Sequence, residues 1–220
     1  GQIIPENFLN LTKKGFINIH ASILPKWRGA APIQRSIMKL DTETGISIMK
    51  INKELDSGPV SNIYKIKIDH NNNAQEISEK LSLLAAEKIL DNIDEIFEDK
   101  TQFIDQDHSK ATYAKKIDKN EGKINWSDKA INIIGKINGL FPAPGAFFIF
   151  NGERYKILKA GIGNGVGKAG EVLTDKLEIA CSDNQSIKIL EIQRQGKKVQ
   201  KIGEFLLGSQ IKKGSVISNA

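Results

Sequence analysis

The stretch GFINIHASILPKWRGAAPIQ, residues 15–34, decides how the first half of the chain is interpreted. Its apolar and polar residues alternate at the start, which predicts a strand that ends at His20. Because residues two apart in a strand face the same side, Asn18 and His20 project together. Polar side chains at the end of a strand, before a loop, lie where α/β sheets place their ligands. An amide and an imidazole at that position can donate hydrogen bonds to an oxyanion.

The composition predicts a globular protein that can bury a real core, since 40% of the 220 residues are hydrophobic. No apolar run is long enough to span a bilayer, and the N-terminus has no signal-like segment, so we expect a cytoplasmic protein without membrane contact. Cys181 is the only cysteine, which excludes a disulfide framework and a cysteine zinc site. We expect Cys181 to be a small buried apolar residue.

The positive charge is concentrated in the second half of the chain. Residues 1–115 carry 15 basic and 16 acidic side chains, and residues 116–220 carry 17 and 10, so the net charges are −1 and +7. A basic surface confined to one region is typical of a polyanion partner, because each phosphate contact releases counterions. A lysine-rich face that serves only solubility is the alternative, and charge alone does not separate the two.

The first half is predicted to alternate helices and strands. Helices are expected from Pro5 to about Lys14 and over 32–40 and 70–99, and strands over 16–20, 46–52 and 60–68. The linker between the last two strands is too short for a parallel crossover, so they should run antiparallel with Asp56 in or near their connection. Asp56 therefore offers a carboxylate that could orient His20 or accept a proton.

The second half changes to short, closely spaced strands. Residues 112–126 lack sustained periodicity and are interpreted as a linker, after which Ser127 should cap a helix ending at Gly139. Asn151-Gly152 predicts a hairpin. Strands are expected over 146–150, 154–162, 170–175, 177–181, 186–192 and 214–218, with a brief helix over 202–209. Several short strands with one small helix favour a compact β-barrel.

Asn-x-His alone is a weak signal, and a structural histidine is its alternative, but the longer string around it is specific. The segments INIHASILPKWRGAAPIQRSI (17–37) and DTETGISIMKINKELDSGPV (41–60) resemble the 10-formyltetrahydrofolate-dependent formyltransferase family, most closely its members that act on methionyl-tRNA. The similarity continues in PAPGAFF (142–148), KILKAG (156–161), AGEVL (169–173) and ILEIQRQGKK (189–198). These stretches are similar to the family's C-terminal OB-like domain, which helps to hold the tRNA.

The resemblance implies roles for individual residues. The family's catalytic Asn, His and Asp fall on Asn18, His20 and Asp56. The implied reaction transfers the formyl group of 10-formyltetrahydrofolate to the amino group of initiator methionyl-tRNA for translation initiation, without a metal. The implied folate-contacting residues are Ser22, Ile23, Leu24 and Pro25. The candidate tRNA contacts are Lys26, Arg28, Lys197, Lys198, Lys201, Lys212 and Lys213.

The resemblance also implies a domain organisation. Residues 1–111 correspond to the later part of an α/β, Rossmann-like catalytic domain with a mixed sheet, 112–126 to a linker, and 127–220 to an all-β OB-like tRNA-binding domain. The family's segment before the Asn-x-His strand has no counterpart, so this chain on its own is expected to be inactive. We expect a monomer for the full-length protein, and an exposed strand edge of this chain to be covered by another copy.

Two alternatives to formylation of methionyl-tRNA stay open from the sequence. A sugar-nucleotide N-formyltransferase would share the Asn, His and Asp site but has little use for an extended basic surface. A non-catalytic tRNA-binding remnant would keep the site residues without binding folate.

Overall fold

The computed structural model describes residues 5–9, 11–209 and 211–219. Contacts within the chain divide it into two compact units. The first comprises Gly1–Ser36, Asp41–Asp69 and Glu76–Lys116, and the second comprises Ile37–Leu40, His70–Gln75 and Ile117–Ala220. The change of unit after Lys116 falls inside the segment that the sequence predicts to be a linker.

The part of the chain before residue 117 forms helices and short strands. In chain order they are α1 (Glu6–Leu9), β1 (Ile17–His20), β2 (Arg28–Gly29), α2 (Pro32–Met38), β3 (Glu43–Lys50), β4 (Val60–Lys67), α3 (Ala74–Phe97) and β5 (Tyr113–Ala114). Strands β1, β3 and β4 form an antiparallel sheet in that order, while β2 and β5 pair in parallel. The predicted antiparallel pairing of β3 with β4 is confirmed. The first helix is shorter than predicted, since it ends at Leu9.

The register of β1 on β3 fixes the face that carries the polar pair. Asn18 lies opposite Met49, and His20 lies opposite Ser47. Cross-strand partners share a face of the sheet, so Met49 and Ser47 lie beside the two predicted site residues. Met49 also packs with Leu24 and Val60 in a small apolar cluster. Through Leu24, the loop after β1 therefore packs against strands β3 and β4.

The second part of the chain forms a mostly antiparallel sheet with two helices. Its elements are α4 (Ala130–Gly139), β6 (Ala146–Phe150), β7 (Glu153–Gly163), β8 (Glu178–Ala180), β9 (Ser186–Arg194), β10 (Val199–Lys201) and α5 (Ile202–Leu206). The strand order is β10-β9-β7-β6, and β8 also pairs with β9. Asn151 and Gly152 both have positive φ, at 51° and 77°, which confirms the predicted hairpin. None of the helices among the described residues is long and apolar enough to cross a membrane.

Two of the predicted strands in this part are wrong, and one strand was missed. The segments 170–175 and 214–218 form only isolated bridges, which join Glu171 to Val216 and Val172 to Ile179. β10 was not predicted, because three residues are too few to show an alternating pattern. The predicted linker over 112–126 likewise contains β5, a two-residue strand that depends on its partner rather than on a local pattern.

The core of the second unit is built around a run of aromatic side chains. Trp126, Phe148, Tyr155 and Phe205 follow one another with ring centroids 5.3 to 5.9 Å apart. Cys181 lies in the same core, as expected from the sequence, and burial raises the pKa of its thiol to about 12. This thiol is therefore a packing residue and not a nucleophile.

The start of α4 differs from the sequence-based expectation. Ser127 does not cap this helix, because the N-cap residue is Lys129, which makes no side-chain capping hydrogen bond. Instead, the N–H of Ala130 donates to both carboxylate oxygens of Asp183, each at 3.2 Å. A carboxylate at this end also faces the positive end of the helix dipole. The cap therefore comes from a residue 53 positions away, which no local motif reveals.

We predict that Asp183→Ala lowers the free energy of unfolding by about 1 kcal/mol, because the first turn of α4 loses its carboxylate cap. Ser127→Ala is the matched control and should change stability by less than about 0.5 kcal/mol. Urea denaturation of the three proteins measures both differences. A larger loss in Ser127→Ala than in Asp183→Ala would contradict this assignment of the cap.

Candidate active site

The carboxylate of Asp56 stands at the centre of the polar residues in the first unit. Asp56 lies in the connection between β3 and β4, with a φ of 47°. Its Oδ2 accepts a hydrogen bond of 2.8 Å from the N–H of Gly29 and lies 3.6 Å from Nδ1 of His20. Its other oxygen, Oδ1, makes no hydrogen bond to any residue that the structure describes. One oxygen is thus held in place while the other is available to a ligand.

His20 has a fixed orientation beside this carboxylate. It is 6% exposed, and its Nε2 lies 2.9 Å from the carbonyl oxygen of Trp27. A carbonyl can only accept, so Nε2 carries the proton and Nδ1 faces Asp56. Asn18 is half-buried two residues earlier on the same face, and its side chain makes no hydrogen bond to a described residue. The structure therefore brings His20 and Asp56 together and leaves the Asn18 amide available.

The loop after His20 is held by its own hydrogen bonds. The hydroxyl of Ser22 donates to the carbonyl of Lys26 at 2.6 Å. The N–H of Lys26 donates to the carbonyl of Ile23 at 3.0 Å, which closes a turn around the cis Leu24–Pro25 bond. These hydrogen bonds give the turn a defined shape.

Ser47 of β3 fastens this loop to the sheet. Its hydroxyl donates to the carbonyl of Ser22 at 2.7 Å and accepts from the N–H of Leu24 at 3.1 Å. Ser22 and Leu24 are 1% and 4% exposed, so these two side chains are committed to the interior. Among the four residues predicted to contact folate, Ile23 and Pro25 are the partly exposed ones.

The next part of the loop is held by pairing between β2 and β5. The N–H of Arg28 donates to the carbonyl of Thr112, and that of Ala30 to the carbonyl of Ala114, both at 2.9 Å. Gly29 between them has a φ of 117°, and a Cβ there would lie 2.8 Å from the carbonyl oxygen of Ala114. Only glycine fits this close approach, and it is this residue's N–H that binds Asp56.

Gln106 is a site-region residue that sequence reasoning missed. It is 8% exposed, its amide nitrogen donates to the carbonyls of Asp56 and Gly58 at 3.0 and 2.7 Å, and its oxygen accepts from Arg28. It lies in a segment without periodicity and 48 to 78 positions from these partners, so the sequence carried no local signal for it.

Arg28 does not lie where a tRNA contact requires it. Its side chain is 2% exposed, and its guanidinium contacts Gln106 and Nδ1 of His108. His108 is exposed, and the sequence did not indicate its contact with Arg28. His70 is exposed too, and its carbonyl accepts from Asn138. Lys26, in contrast to Arg28, has an exposed side chain.

The other predicted tRNA contacts all lie on the surface of the second unit. These five predicted contacts are Lys197, Lys198, Lys201, Lys212 and Lys213, and all of them are exposed. The structure adds a pair that the sequence did not indicate, Arg154 and Lys156, at a cavity of about 220 Å³. Partial burial and the nearby charge of Arg154 lower the pKa of Lys156. Among the described residues, no group of His, Cys, Asp and Glu side chains is arranged to hold a metal ion.

Comparison with protein families gives two matches that together cover most of the chain. Residues 1–93 match the family described as "Formyl transferase". Residues 116–210 match "Formyl transferase, C-terminal domain".

Individual proteins and solved structures are also similar to this chain. The methionyl-tRNA formyltransferase of Pelagibacter ubique (strain HTCC1062) is 68% identical over 219 residues, which are 100% of this chain and 71% of that protein. Among solved structures, HypX from Aquifex aeolicus in complex with tetrahydrofolic acid has a TM-score of 0.67 at 18% identity, over 90% of this chain and 36% of that one. The methionyl-tRNA formyltransferase from Clostridium thermocellum has a TM-score of 0.58 at 22% identity, over 75% of this chain and 70% of that one. The two structures establish likeness of fold.

We predict that Gly29→Ala destabilises the protein by at least about 3 kcal/mol, because the new Cβ meets a carbonyl oxygen in a backbone conformation that L residues rarely adopt. Gly15→Ala is the control, since Gly15 has a φ of 73° but nothing within 4 Å of its added Cβ. It should lose only about 1 to 2 kcal/mol. Equal shifts of the two urea midpoints would contradict the close approach at Gly29.

Proposed function

Since this chain belongs to the methionyl-tRNA formyltransferase family, we propose that it performs that family's reaction with Asn18, His20 and Asp56 as catalytic residues. The reaction moves the formyl group of 10-formyltetrahydrofolate onto the amino group of initiator methionyl-tRNA. The observation that supports these roles is the position of the Asp56 carboxylate, which is bound by Gly29 and lies 3.6 Å from His20 Nδ1.

The chemistry needs a donor for an oxyanion and an acceptor for a proton. The amine nitrogen of methionine bonds to the formyl carbon, negative charge develops on the formyl oxygen, and the bond to the folate nitrogen then breaks. Asn18 and His20 stabilise the developing charge by donating hydrogen bonds. Asp56 accepts the proton that the amine loses, directly or through water, and the proton finally resides on the folate nitrogen.

The contacts of His20 assign different tasks to its two nitrogens. Nε2 is committed to the carbonyl of Trp27, so the Nδ1 edge is the one that faces the reaction. Asp56 lies against that edge. Its carboxylate stabilises the ring while the N–H at Nδ1 donates a hydrogen bond to the oxyanion. Oδ1 of Asp56, which is not bound to a described residue, takes the amine proton.

The loop over residues 22–25 forms one wall of the folate site in this proposal. Its backbone is fixed by Ser22, Ser47 and the turn at Lys26, so it presents a preformed surface. The side chain of Ile23, which is partly exposed, supplies apolar contact to the flat pterin ring. Ser22 and Leu24 act by holding the loop.

The second unit is proposed to be an OB-like barrel that binds tRNA by its phosphates. Its five antiparallel strands and its exposed lysines support this assignment. The proposed domain limits are those expected from the sequence: 1–111, a linker over 112–126, and 127–220. We further propose a cytoplasmic protein that is monomeric at full length, and self-association of this chain through its strand edge. Neither sugar-nucleotide formylation nor a purely RNA-binding role is favoured by a specific observation.

We predict that Asn18→Ala, His20→Ala and Asp56→Asn each lower formyl transfer about 10²- to 10⁴-fold, because each removes an oxyanion donor or the proton acceptor. The assay follows formyl-methionyl-tRNA formed from 10-formyltetrahydrofolate and initiator methionyl-tRNA. It uses this chain and a fusion that adds the part of the Pelagibacter relative outside the matched region. Glu54→Gln, in the same connection as Asp56 but exposed, is the control and should keep full activity.

The outcomes of this assay separate the proposals. No transfer by the fusion would contradict the proposed reaction. Transfer by the fusion together with unchanged rates in all three variants would contradict the catalytic roles. Formylation of a sugar nucleotide in preference to methionyl-tRNA would favour the sugar-nucleotide alternative.

We predict that Lys197→Ala with Lys198→Ala weakens tRNA binding at every salt concentration. The slope of log affinity against log salt should become shallower by roughly one for each phosphate that the variant no longer binds. Lys80→Ala on α3 is the matched control, since it removes an exposed lysine from the first unit. Filter binding between low and high salt measures both slopes, and equal slopes for the double variant and the wild type would place the tRNA elsewhere.

A further inference from the structure

The side chain of Gln106 uses all of its hydrogen-bonding capacity within the first unit. Its Nε2 donates to the carbonyl of Asp56 at 3.0 Å and to the carbonyl of Gly58 at 2.7 Å. Its Oε1 accepts from Nε and Nη2 of Arg28 at 3.1 and 2.8 Å. An amide has two donors and one oxygen that accepts twice, so no capacity is left over.

These partners also determine which way the amide points. The guanidinium of Arg28 can only donate, and the two carbonyls can only accept, so the amide oxygen must face Arg28. Gln106 therefore joins the backbone of the Asp56 connection to the residue that directly precedes Gly29. Asp56 is held at two points, since Gly29 binds its carboxylate and Gln106 binds its carbonyl. Gln106 connects these two points because it also binds Arg28, the residue before Gly29.

The conformation of Asp56 requires such support. Its φ of 47° lies in the left-handed region, which non-glycine residues seldom occupy unless surrounding contacts impose it. Gly58, two residues later, is constrained in a different way, since a Cβ there would lie 2.0 Å from the carbonyl oxygen of Lys50. Gln106 binds the carbonyls of both Asp56 and Gly58, and this pair of hydrogen bonds forms a clamp across the constrained segment.

We propose that Gln106, oriented by Arg28, is a positioning residue that holds the Asp56 carboxylate at the His20 ring. The inference rests on the proposed function, in which Asp56 accepts the amine proton. Gln106 touches no reacting atom and acts through Asp56. Without the clamp, Asp56 relaxes out of its left-handed conformation and its carboxylate leaves the position set by Gly29. A displacement of about 1 Å is enough to cost on the order of 10²-fold in rate.

The guanidinium of Arg28 supports this role because it is buried beside a neutral amide and not beside a carboxylate. Its guanidinium is 2% exposed and forms no ion pair with an acidic residue among those described. Gln106 and Nδ1 of His108, which is 3.3 Å away, are its side-chain partners. Since a buried guanidinium must keep its donors satisfied, Arg28 holds the amide of Gln106 firmly.

Two substitutions of Gln106 test the proposal in different ways. Gln106→Glu keeps an acceptor for Arg28 but loses both donors to the carbonyls of Asp56 and Gly58. Gln106→Leu removes all four hydrogen bonds without adding charge, and it guards against an effect of the new carboxylate. Gln102→Leu, at an exposed glutamine four residues earlier, is the matched control. Circular dichroism and urea denaturation show which variants are folded.

The kinetic readout is a double-mutant cycle with Asp56 in the formylation assay. Gln106→Glu should lower kcat about 10- to 100-fold and change the KM for methionyl-tRNA less than about twofold. In the Asp56→Asn background, the same substitution should lower kcat less than about twofold, because the carboxylate that it positions is already absent. Equal effects in both backgrounds would overturn the proposal, as would an unchanged kcat in the single variant.

A second readout does not depend on activity. The chain has three histidines, so its imidazole ¹H–¹⁵N signals can be resolved and assigned by substitution. The His20 signals in Gln106→Glu and in Gln106→Leu should move in the direction seen in Asp56→Asn, while those of His70 stay unchanged. Unmoved His20 signals in folded variants would overturn the proposal. If the wild-type fusion transfers no formyl group, the proposed function fails, and the His20 signals still decide whether Gln106 positions Asp56.

Discussion

The parallel pairing of Arg28–Gly29 with Tyr113–Ala114 is the constraint on which the candidate site depends. It lies where a loop that begins at His20 would otherwise be free to move. Because this pairing fixes the backbone on both sides of Gly29, the N–H of Gly29 has one direction, and that direction is toward Asp56. Through Thr112, the same segment also binds the N–H of Trp27, whose carbonyl orients His20. The short pairing of β2 with β5 therefore orients both the His20 ring and the Asp56 carboxylate.

Gln106 links Arg28 to Asp56, and these two residues form no ion pair with each other. A direct ion pair between Arg28 and Asp56 would occupy the carboxylate oxygens that a proton acceptor needs. Instead, Arg28 binds a neutral amide, and the amide binds the main chain of Asp56. Arg28 therefore fixes Gln106, and Gln106 fixes the main chain of Asp56, without an ion pair between Arg28 and Asp56. A buried donor left without a partner costs about 1 to 3 kcal/mol, so the members of this network stabilise one another.

The sequence predicted the residues of the site better than it predicted their support. Alternation in β1 placed Asn18 and His20 on one face, and a short connection placed Asp56 between antiparallel strands. These are local patterns, which a sequence displays directly. Gln106 and Asp183 act across 48 or more positions through a few hydrogen bonds to distant residues, so no period or motif marks them. The short strands β5 and β10 were missed for a related reason, since their partners define them rather than their own composition.

The two units place different physical demands on the chain. In the first unit the groups act over about 3 Å, within a buried setting, and salt hardly reaches them. In the second unit the cations are exposed and act over longer distances, where salt screens them. Lys156 lies between these cases, because partial burial and its neighbour Arg154 already disfavour its charge. A phosphate beside this pair would relieve their repulsion, whereas the exposed lysines would exchange one counterion for another.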